Sequence, residues 1–115
     1  MKQSSLGLSN TTKRTRKREF LDAMELVVPW AELVSLIEPY APDSGRRGQQ
    51  PFAVQTLLRI HFMQQWFKLS DPAMEEALHD VPAFRDFAGL SHWGEHIPSE
   101  SSILRFRHLL ERHKL

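Results

Sequence analysis

Residues 58–78, LRIHFMQQWFKLSDPAMEEAL, contain the end of one helix pattern, a helix start signal and a second helix pattern. Apolar side chains cover almost every side of the first pattern, which we expect to open at Pro51 and run to Phe67. A helix that is apolar nearly all round is typically the central, buried one. Ser70 is a preferred N-cap residue, and Pro72 suits the first turn that follows it. The stretch therefore predicts a central helix that is followed directly by an amphipathic one.

Two further helices are predicted on the N-terminal side of this stretch. From about Thr15 the apolar residues recur at the spacing of a helix: Phe20, Leu21, Met24, Val27 and Val28. Pro29 suits the first turn of a helix over about 29–38, which would bury Trp30, Leu33, Val34 and Ile37. The pair Glu38-Pro39 should end that helix, because the residue before a proline avoids the α region. A loop is expected over 40–50.

The C-terminal side carries two more helix patterns. Pro82 opens a short helix whose inward residues would be Phe84, Phe87 and Ala88. Gly89 should close this helix, because glycine readily adopts the left-handed backbone that often ends helices. A loop over 90–98 then leads to Ser99, an N-cap for a last helix over about 100–113.

Length and composition limit the classes of protein that this chain can be. Its 115 residues are 41% hydrophobic and include no cysteine, so we expect one packed domain without disulfides or thiolate metal sites. No apolar run approaches the roughly 18 residues of a membrane span, and the N-terminus lacks a secretory signal. Without strand alternation, the prediction is an all-α domain over 15–115, a disordered basic arm over 1–14, and a cytoplasmic location.

The charge of the chain is strongly segregated. Residues 1–18 hold six basic side chains and no acid, whereas the rest of the chain holds all 14 acids. A basic arm on a mildly acidic body typically meets a polyanion such as nucleic acid. The alternative is a solvated tail that only aids solubility. The candidate phosphate-binding residues are those of the arm, joined by two arginines of the 40–50 loop: Lys13, Arg14, Arg16, Lys17, Arg18, Arg46 and Arg47.

The last helix has two contrasting faces. At 100° per residue, one arc is apolar and holds Ile103, Phe106, Leu109 and Leu110. The opposite arc is polar and holds Ser101, Arg105, His108 and Arg112. Arginine and serine can bond base edges or phosphates, so this helix is a candidate recognition helix. The short helix over 82–88 would then be the first helix of a helix-turn-helix pair, although the connection is longer than usual. The alternative is a plain amphipathic surface helix.

We expect structural roles, rather than functional ones, for three other groups of residues. Arg107 lies near the apolar arc, so we expect it to be partly buried and paired with an acid such as Glu111 at i+4. His61 lies on an apolar helix face and is expected to be a hydrogen-bonded core histidine. The adjacent acids Glu75 and Glu76 point about 100° apart on a helix, so we expect them to lie on the solvated surface and not to form a catalytic pair.

Enzyme and metal motifs are not visible in the sequence. His92 and His96 have the four-residue spacing of zinc ligands on a helix, but Gly94 places them in a predicted loop. The chain has no nucleophile elbow, no phosphate-binding glycine loop and no dinucleotide fingerprint. We therefore expect no metal and no cofactor.

The central stretch LRIHFMQQWF-x-LSD-x-AMEEAL resembles the N-terminal domain of insertion-sequence-five-type (InsH-like) bacterial transposases. The segments TRKREFL (15–21), VPW (28–30) and IEP (37–39) resemble the opening of that family, and FRDFAGL (84–90) and FRHLLE (106–111) resemble its later blocks. The family tends to have an aspartate cap and threonines where this chain has PSESSI (98–103), and serine preserves both the cap and the hydroxyl donors.

This resemblance implies a helical domain that binds the ends of the element and is joined to an RNase-H-like catalytic core. That core uses three carboxylates and divalent metal ions to cleave and transfer strands. The chain ends at Leu115, before the position of the family's first catalytic aspartate, and none of its 14 acids matches the triad. The expectation is therefore a chain without catalytic activity of its own.

The sequence supports one main hypothesis and leaves two others open. The main one is a module that binds double-stranded DNA at terminal inverted repeats. Its arm would neutralise phosphates, and Ser101, Arg105 and Arg112 would face the groove. The second is an interaction module that dimerises or associates with a full-length transposase, through apolar surface left uncovered on the helix over 51–67. The third is a non-functional remnant of a transposase gene.

Overall fold

The computed structural model describes residues 15–41, 52–90 and 96–115. Within these ranges the fold is all-helical and contains no β-strand, as the sequence predicts. The predicted arm over 1–14 lies outside the described residues. The described residues form six α-helices and one 3-10 helix: α1 (Arg16–Val27), α2 (Trp30–Ile37), the 3-10 helix (Glu38–Tyr40), α3 (Val54–Phe67), α4 (Asp71–Asp80), α5 (Pro82–Ala88) and α6 (Glu100–Arg112). None of these helices is both long and apolar enough to cross a membrane.

Hydroxyl side chains start three of the helices. Thr15, Ser70 and Ser99 are the N-cap residues of α1, α4 and α6. Each oxygen accepts a hydrogen bond from the backbone N–H three residues further on: Arg18 at 3.1 Å, Ala73 at 3.2 Å and Ser102 at 3.3 Å. Such a cap contributes about 1 kcal/mol to helix stability. The predicted starts at Ser70 and Ser99 are confirmed.

α2 ends at Ile37 with Glu38 as its C-cap, so the helix end predicted at Glu38-Pro39 is confirmed, but the backbone reason given for it is not. Glu38 keeps right-handed helical dihedrals (φ −53°, ψ −38°) although a proline follows it. The chain tightens into the 3-10 helix instead, and the backbone N–H of Ala41 donates to Glu38 O at 3.1 Å. Pro39 fits there because the first residues of a helical turn need no N–H donor within it.

α3 is the central helix of the fold, as its nearly continuous apolar surface predicts. It packs against α2, α4, α5 and α6. Its most buried apolar residues are Leu58, Ile60 and Met63. It ends at Phe67 as expected but begins at Val54 rather than at Pro51, because the backbone of Ala53 is extended (φ −60°, ψ 142°).

α1 contacts the core through a different edge from the one the apolar spacing suggested. Leu21 is 2% exposed, whereas Phe20 is 37% exposed and Val27 is 70% exposed. α1 lies on the short helix α5, and a short partner covers only a narrow strip of it. Among the described residues, the large apolar side chains that remain most exposed are therefore on α1 and α2, at Leu26, Val27 and Leu36. The sequence instead predicts uncovered apolar surface on α3.

α5 is built as the sequence predicts. It begins at Pro82 and ends where Gly89 adopts a left-handed backbone with φ 86°. The N–H of Leu90 donates to Arg85 O at 2.8 Å across this turn, which satisfies one of the last carbonyl groups of the helix. The predicted inward residues Phe84, Phe87 and Ala88 are all buried.

α6 packs mainly against α4 and α3, so the predicted pairing of α6 with the helix over 82–88 is not confirmed. α5 is not among the main neighbours of α6 in the described part of the chain. The buried residues of α6 are Ile103, Phe106 and Leu110. α4 presents two fully buried residues, Met74 and Leu78, and α5 instead fills the space against α1, α3 and α4. The helix-turn-helix pairing of 82–88 with the last helix is therefore not observed.

Candidate nucleic-acid interface

The polar face of α6 is not covered by any of the described residues. The predicted residues Ser101, Arg105 and Arg112 are all exposed, and so is His108 on the same face. The opposite side of the helix is fixed in the core by its apolar residues. Neither Arg105 nor Arg112 forms an ion pair with any residue in the described ranges. Their charges are therefore available to an external anion.

The spacing along this face suits a repeating anion such as a nucleic-acid backbone. Arg105 and Arg112 are two helical turns apart, which corresponds to roughly 10 Å along the helix axis. Phosphates follow one another at about 3.4 Å per strand along a duplex axis, so positions 105 and 112 are about three phosphate steps apart for a helix parallel to that axis. Among the described residues, Arg105 makes a single long side-chain hydrogen bond, from Nη2 to Ser102 Oγ at 3.4 Å, which an external acceptor can replace.

The other edge of α6 is tied to α4 and α3 by Arg107. Arg107 Nη1 donates to Asp71 Oδ1 at 2.6 Å, and Gln64 Nε2 donates to the same oxygen at 2.6 Å. Burial raises the pKa of the Asp71 carboxyl, but the two hydrogen bonds and the positive charge outweigh it, so the net pKa is lowered. The expected pair with Glu111 exists at 3.9 Å, but Asp71 is the closer partner.

The N-terminus of α6 is also held by α4. Glu75 Oε1 accepts a hydrogen bond from the backbone N–H of Glu100 at 2.8 Å. A carboxylate is favourable at this end of a helix because the exposed N–H groups carry partial positive charge. Glu75 is half-buried in this role rather than a solvated surface residue as predicted, whereas Glu76 is exposed.

The described basic residues of α1 have three different environments. Arg16 is exposed. Lys17 is also exposed, and its Nζ lies over the rings of Phe67 and Phe84, 5.5 and 5.4 Å from their centroids. Arg18 Nη2 donates to Asp86 Oδ2 at 3.1 Å, so it is already paired with an acid of α5. Of the three, Arg16 is the one without such a contact among the described residues, and it is therefore the most available to a phosphate.

The structure does not bring all the predicted site residues together. Lys13, Arg14, Arg46 and Arg47 lie outside the described residues. α1 packs on α5, and α6 is not among its main neighbours. Within the described parts of the fold, the basic end of α1 and the polar face of α6 therefore lie on helices that are not close packing neighbours.

His61 is a half-buried residue of α3 beside α6. Its ring makes edge contacts with Phe62 and Phe106, with centroids 6.4 and 6.5 Å apart. Burial lowers the pKa of His61 below 6.5, and the nearby positive charge of Arg107 lowers it further. The predicted packing role fits these contacts, whereas no hydrogen bond joins its side chain to the described residues.

Sequence reasoning missed the buried cation at the centre of the fold. Arg59, on the otherwise apolar α3, is 7% exposed and donates to both carboxylate oxygens of Glu25 on α1. The sequence could have indicated this pair, because an arginine among apolar neighbours on a central helix needs an acidic partner.

The described acids and histidines offer no place for a catalytic metal. No three of them converge closely enough to hold a metal ion within 15–41, 52–90 and 96–115. These residues do not fit the metal ions that the resemblance assigns to a catalytic core.

Comparison with known proteins gives one match over most of the chain. A family model described as a transposase domain (DUF772) matches residues 9–109, a range that begins before α1 and ends within α6. No solved structure matches the chain.

Proposed function

Because the chain belongs to the family of transposase domains (DUF772), we propose that it is the DNA-binding N-terminal module of a transposase. Its ligand in this proposal is double-stranded DNA at the terminal inverted repeats of an insertion element. The residues quoted above from 58–78 favour the insertion-sequence-five-type (InsH-like) group within the family. The site of action would be the bacterial cytoplasm, at the nucleoid.

The observation that carries this proposal is the exposed face of α6. Two arginines without ion partners in the described ranges, a histidine and a serine share one side of a helix whose other side is buried. A helix of this diameter fits the major groove, which is about 12 Å wide. Arg105 and Arg112 are proposed to contact phosphates or guanine edges, with Ser101 at the same surface.

The basic arm is proposed to add sequence-independent affinity. Lys13 and Arg14 continue the chain just before Arg16, and the loop arginines Arg46 and Arg47 are assigned the same role. Each neutralised phosphate releases counterions, so about six contacts would make the affinity fall steeply with salt. Lys17 and Arg18 contribute less in this account, because both already have partners in the body of the domain.

Catalysis is assigned to a separate domain rather than to this one. The two acids with the tightest contacts, Glu25 and Asp71, serve ion pairs inside the fold. Incubation of the purified chain with supercoiled DNA and Mg²⁺ or Mn²⁺ is expected to give no nicking. Reproducible, metal-dependent nicking would overturn this part of the proposal.

The test is a gel-shift comparison between an inverted-repeat duplex and a scrambled duplex of equal length and composition. The wild-type chain should prefer the inverted repeat. Arg105→Ala should reduce that preference, whereas deletion of residues 1–14 should weaken binding to both duplexes alike. If neither variant differs from the wild type, the assigned surfaces are wrong.

A second candidate function is self-association or association with a full-length transposase. The observation that favours it is the strong exposure of Leu26 (87%), Val27 (70%) and Leu36 (60%) on α1 and α2. Exposed apolar side chains of this size are typical of protein interaction surfaces when they are grouped. These three residues lie on α1 and α2 and not on α6, so the two functions are compatible.

A further inference from the structure

We infer that Asp71 and Arg107 form a positioning pair that sets the rotation of α6 and so aims its exposed face at DNA. This inference rests on the proposed function and deepens it. Neither residue is assigned a contact with DNA. Their task is to fix the direction in which Arg105 and His108 project.

The geometry of the pair is directional. One oxygen of Asp71 accepts from Arg107 Nη1 and from Gln64 Nε2, each at 2.6 Å. The Asp71 side chain is 16% exposed and that of Arg107 is 30% exposed. Three helices, α3, α4 and α6, therefore meet at a single carboxylate that is shielded from water. Charged hydrogen bonds of this kind are shorter and more geometrically specific than apolar contacts.

A second contact completes the positioning. Glu75 of α4 accepts from the backbone N–H of Glu100 at 2.8 Å, at the start of α6. Glu100 and Arg107 are seven residues apart, which is about 10 Å along the helix axis. Two polar contacts at that separation fix both the rotation of α6 and its sliding along α4. The apolar residues of α6 hold it in the core, and the two polar contacts add a directional constraint that the hydrophobic effect lacks.

The position of Arg107 in the sequence explains how the pair acts on its neighbours. Successive residues on a helix point about 100° apart. When Arg107 is held toward α4, His108 is turned about 100° and Arg105 about 160° from it in the same sense. Both therefore lie on the exposed face, as observed. A rotation of α6 by a fraction of a turn would move the guanidinium of Arg105 by several ångströms, given a helix about 10 Å across.

The substitution Asp71→Asn separates positioning from simple electrostatics, because the two effects change different quantities: the affinity for every duplex in one case and the ratio of the two affinities in the other. Removal of an acid makes the domain more positive, so electrostatics alone predicts tighter binding to any duplex. A loss of positioning predicts that the preference for the inverted repeat over the scrambled duplex falls, by about tenfold if one oriented base contact is lost. Asp80→Asn is the matched control, because Asp80 is an exposed acid at the other end of α4.

The experiment measures the ratio of the two affinities by fluorescence anisotropy, on full-length variants whose circular dichroism shows the native helix content. The expected result is a reduced ratio for Asp71→Asn and an unchanged ratio for Asp80→Asn. If Asp71→Asn does not fold, Arg107→Met and Arg107→Lys decide: the methionine should lower the ratio, and the lysine, which keeps the cation, should restore part of it.

The possible failures are distinguishable. A wild-type chain that shows no preference between the duplexes contradicts the proposed function itself. A wild-type preference that Asp71→Asn leaves intact, or equal losses in Asp71→Asn and Asp80→Asn, contradicts only the positioning role. If Asp71→Asn does not fold, the two Arg107 variants provide the test. Equal affinity ratios for Arg107→Lys and Arg107→Met would then contradict the positioning role as well.

Discussion

The guanidinium of Arg59 lies 4.5 Å from the centre of the Trp30 ring and donates through Nη2 to Glu25 Oε2 at 2.9 Å. A second hydrogen bond joins Nη1 to the other oxygen of Glu25, and a third reaches Phe87 O at 3.1 Å. This one side chain therefore connects the central helix α3 to α1, α2 and α5. A buried cation with these partners is satisfied, and the same cation without them would be costly.

Glu25→Gln should lower the free energy of unfolding by about 1–2 kcal/mol, because it removes the counter-charge of a buried guanidinium. The effect is smaller than for a fully buried pair, since the Glu25 side chain is 49% exposed. The double substitution Glu25→Gln with Arg59→Met should recover part of the loss, because no buried charge then remains unpaired. Urea denaturation measures the free energy of unfolding of the two single variants and of the double variant. A double variant whose loss of stability equals the sum of the two single losses would contradict this account.

The stability of the domain should fall as the pH drops through 6.5, and His61 should contribute to that fall. Burial and Arg107 keep the pKa of His61 below 6.5 in the folded protein, so the unfolded chain takes up the proton first. Stability is thus full above pH 6.5 and decreases below it, by at most about 1.4 kcal/mol per pH unit for one proton. In His61→Gln, urea midpoints between pH 7 and 5 should vary less, and an unchanged pH profile would refute the assignment.

Replacement of the exposed apolar residues should change association and leave folding intact. Leu26→Ser together with Val27→Thr removes apolar side chains that are 87% and 70% exposed, so stability should change by less than about 0.5 kcal/mol per site. If the second candidate function is correct, sedimentation of the wild type at high concentration shows a dimer and the double variant is monomeric. A wild type that remains monomeric would rule out self-association.

Arg105→Lys tests whether Arg105 reads base edges or only phosphates. Lysine keeps the positive charge but loses the planar fork that bonds two acceptors of guanine. A base-reading role predicts that affinity for a scrambled duplex is retained while the preference for the inverted repeat falls by about fivefold or more. If the lysine and arginine forms bind the inverted repeat with equal affinity, Arg105 contacts phosphates and does not read base edges.

The elements that the sequence predicts correctly depend on neighbouring residues. Ser70 and Ser99 cap helices through backbone N–H groups only three residues away. Pro82 and Gly89 bound α5 through their own backbone preferences. The two faces of α6 follow from the 100° rotation per residue, and the observed exposure of Arg105 agrees with it. Such effects are encoded within one or two turns of chain.

The elements that were missed depend on how distant segments meet. The closest partner of Arg107 is 36 residues away in the sequence, whereas the predicted partner was one turn away. The packing of α6 on α4 instead of α5 is likewise a property of the three-dimensional arrangement. Local pattern indicated that Arg107 would be paired, because a cation near an apolar arc needs a counter-charge, but it could not indicate with which acid.

The proposed function is tested most directly by the salt dependence of duplex binding. Affinity of the purified chain for the inverted-repeat duplex should be measured from 50 to 200 mM salt, beside Arg105→Ala with Arg112→Ala. A plot of log affinity against log salt should be linear and steep for the wild type, and its slope should be shallower by about two in the double variant. Equal slopes for the two proteins would contradict the assignment of α6, and no binding by the wild type even at 50 mM salt would contradict DNA binding itself.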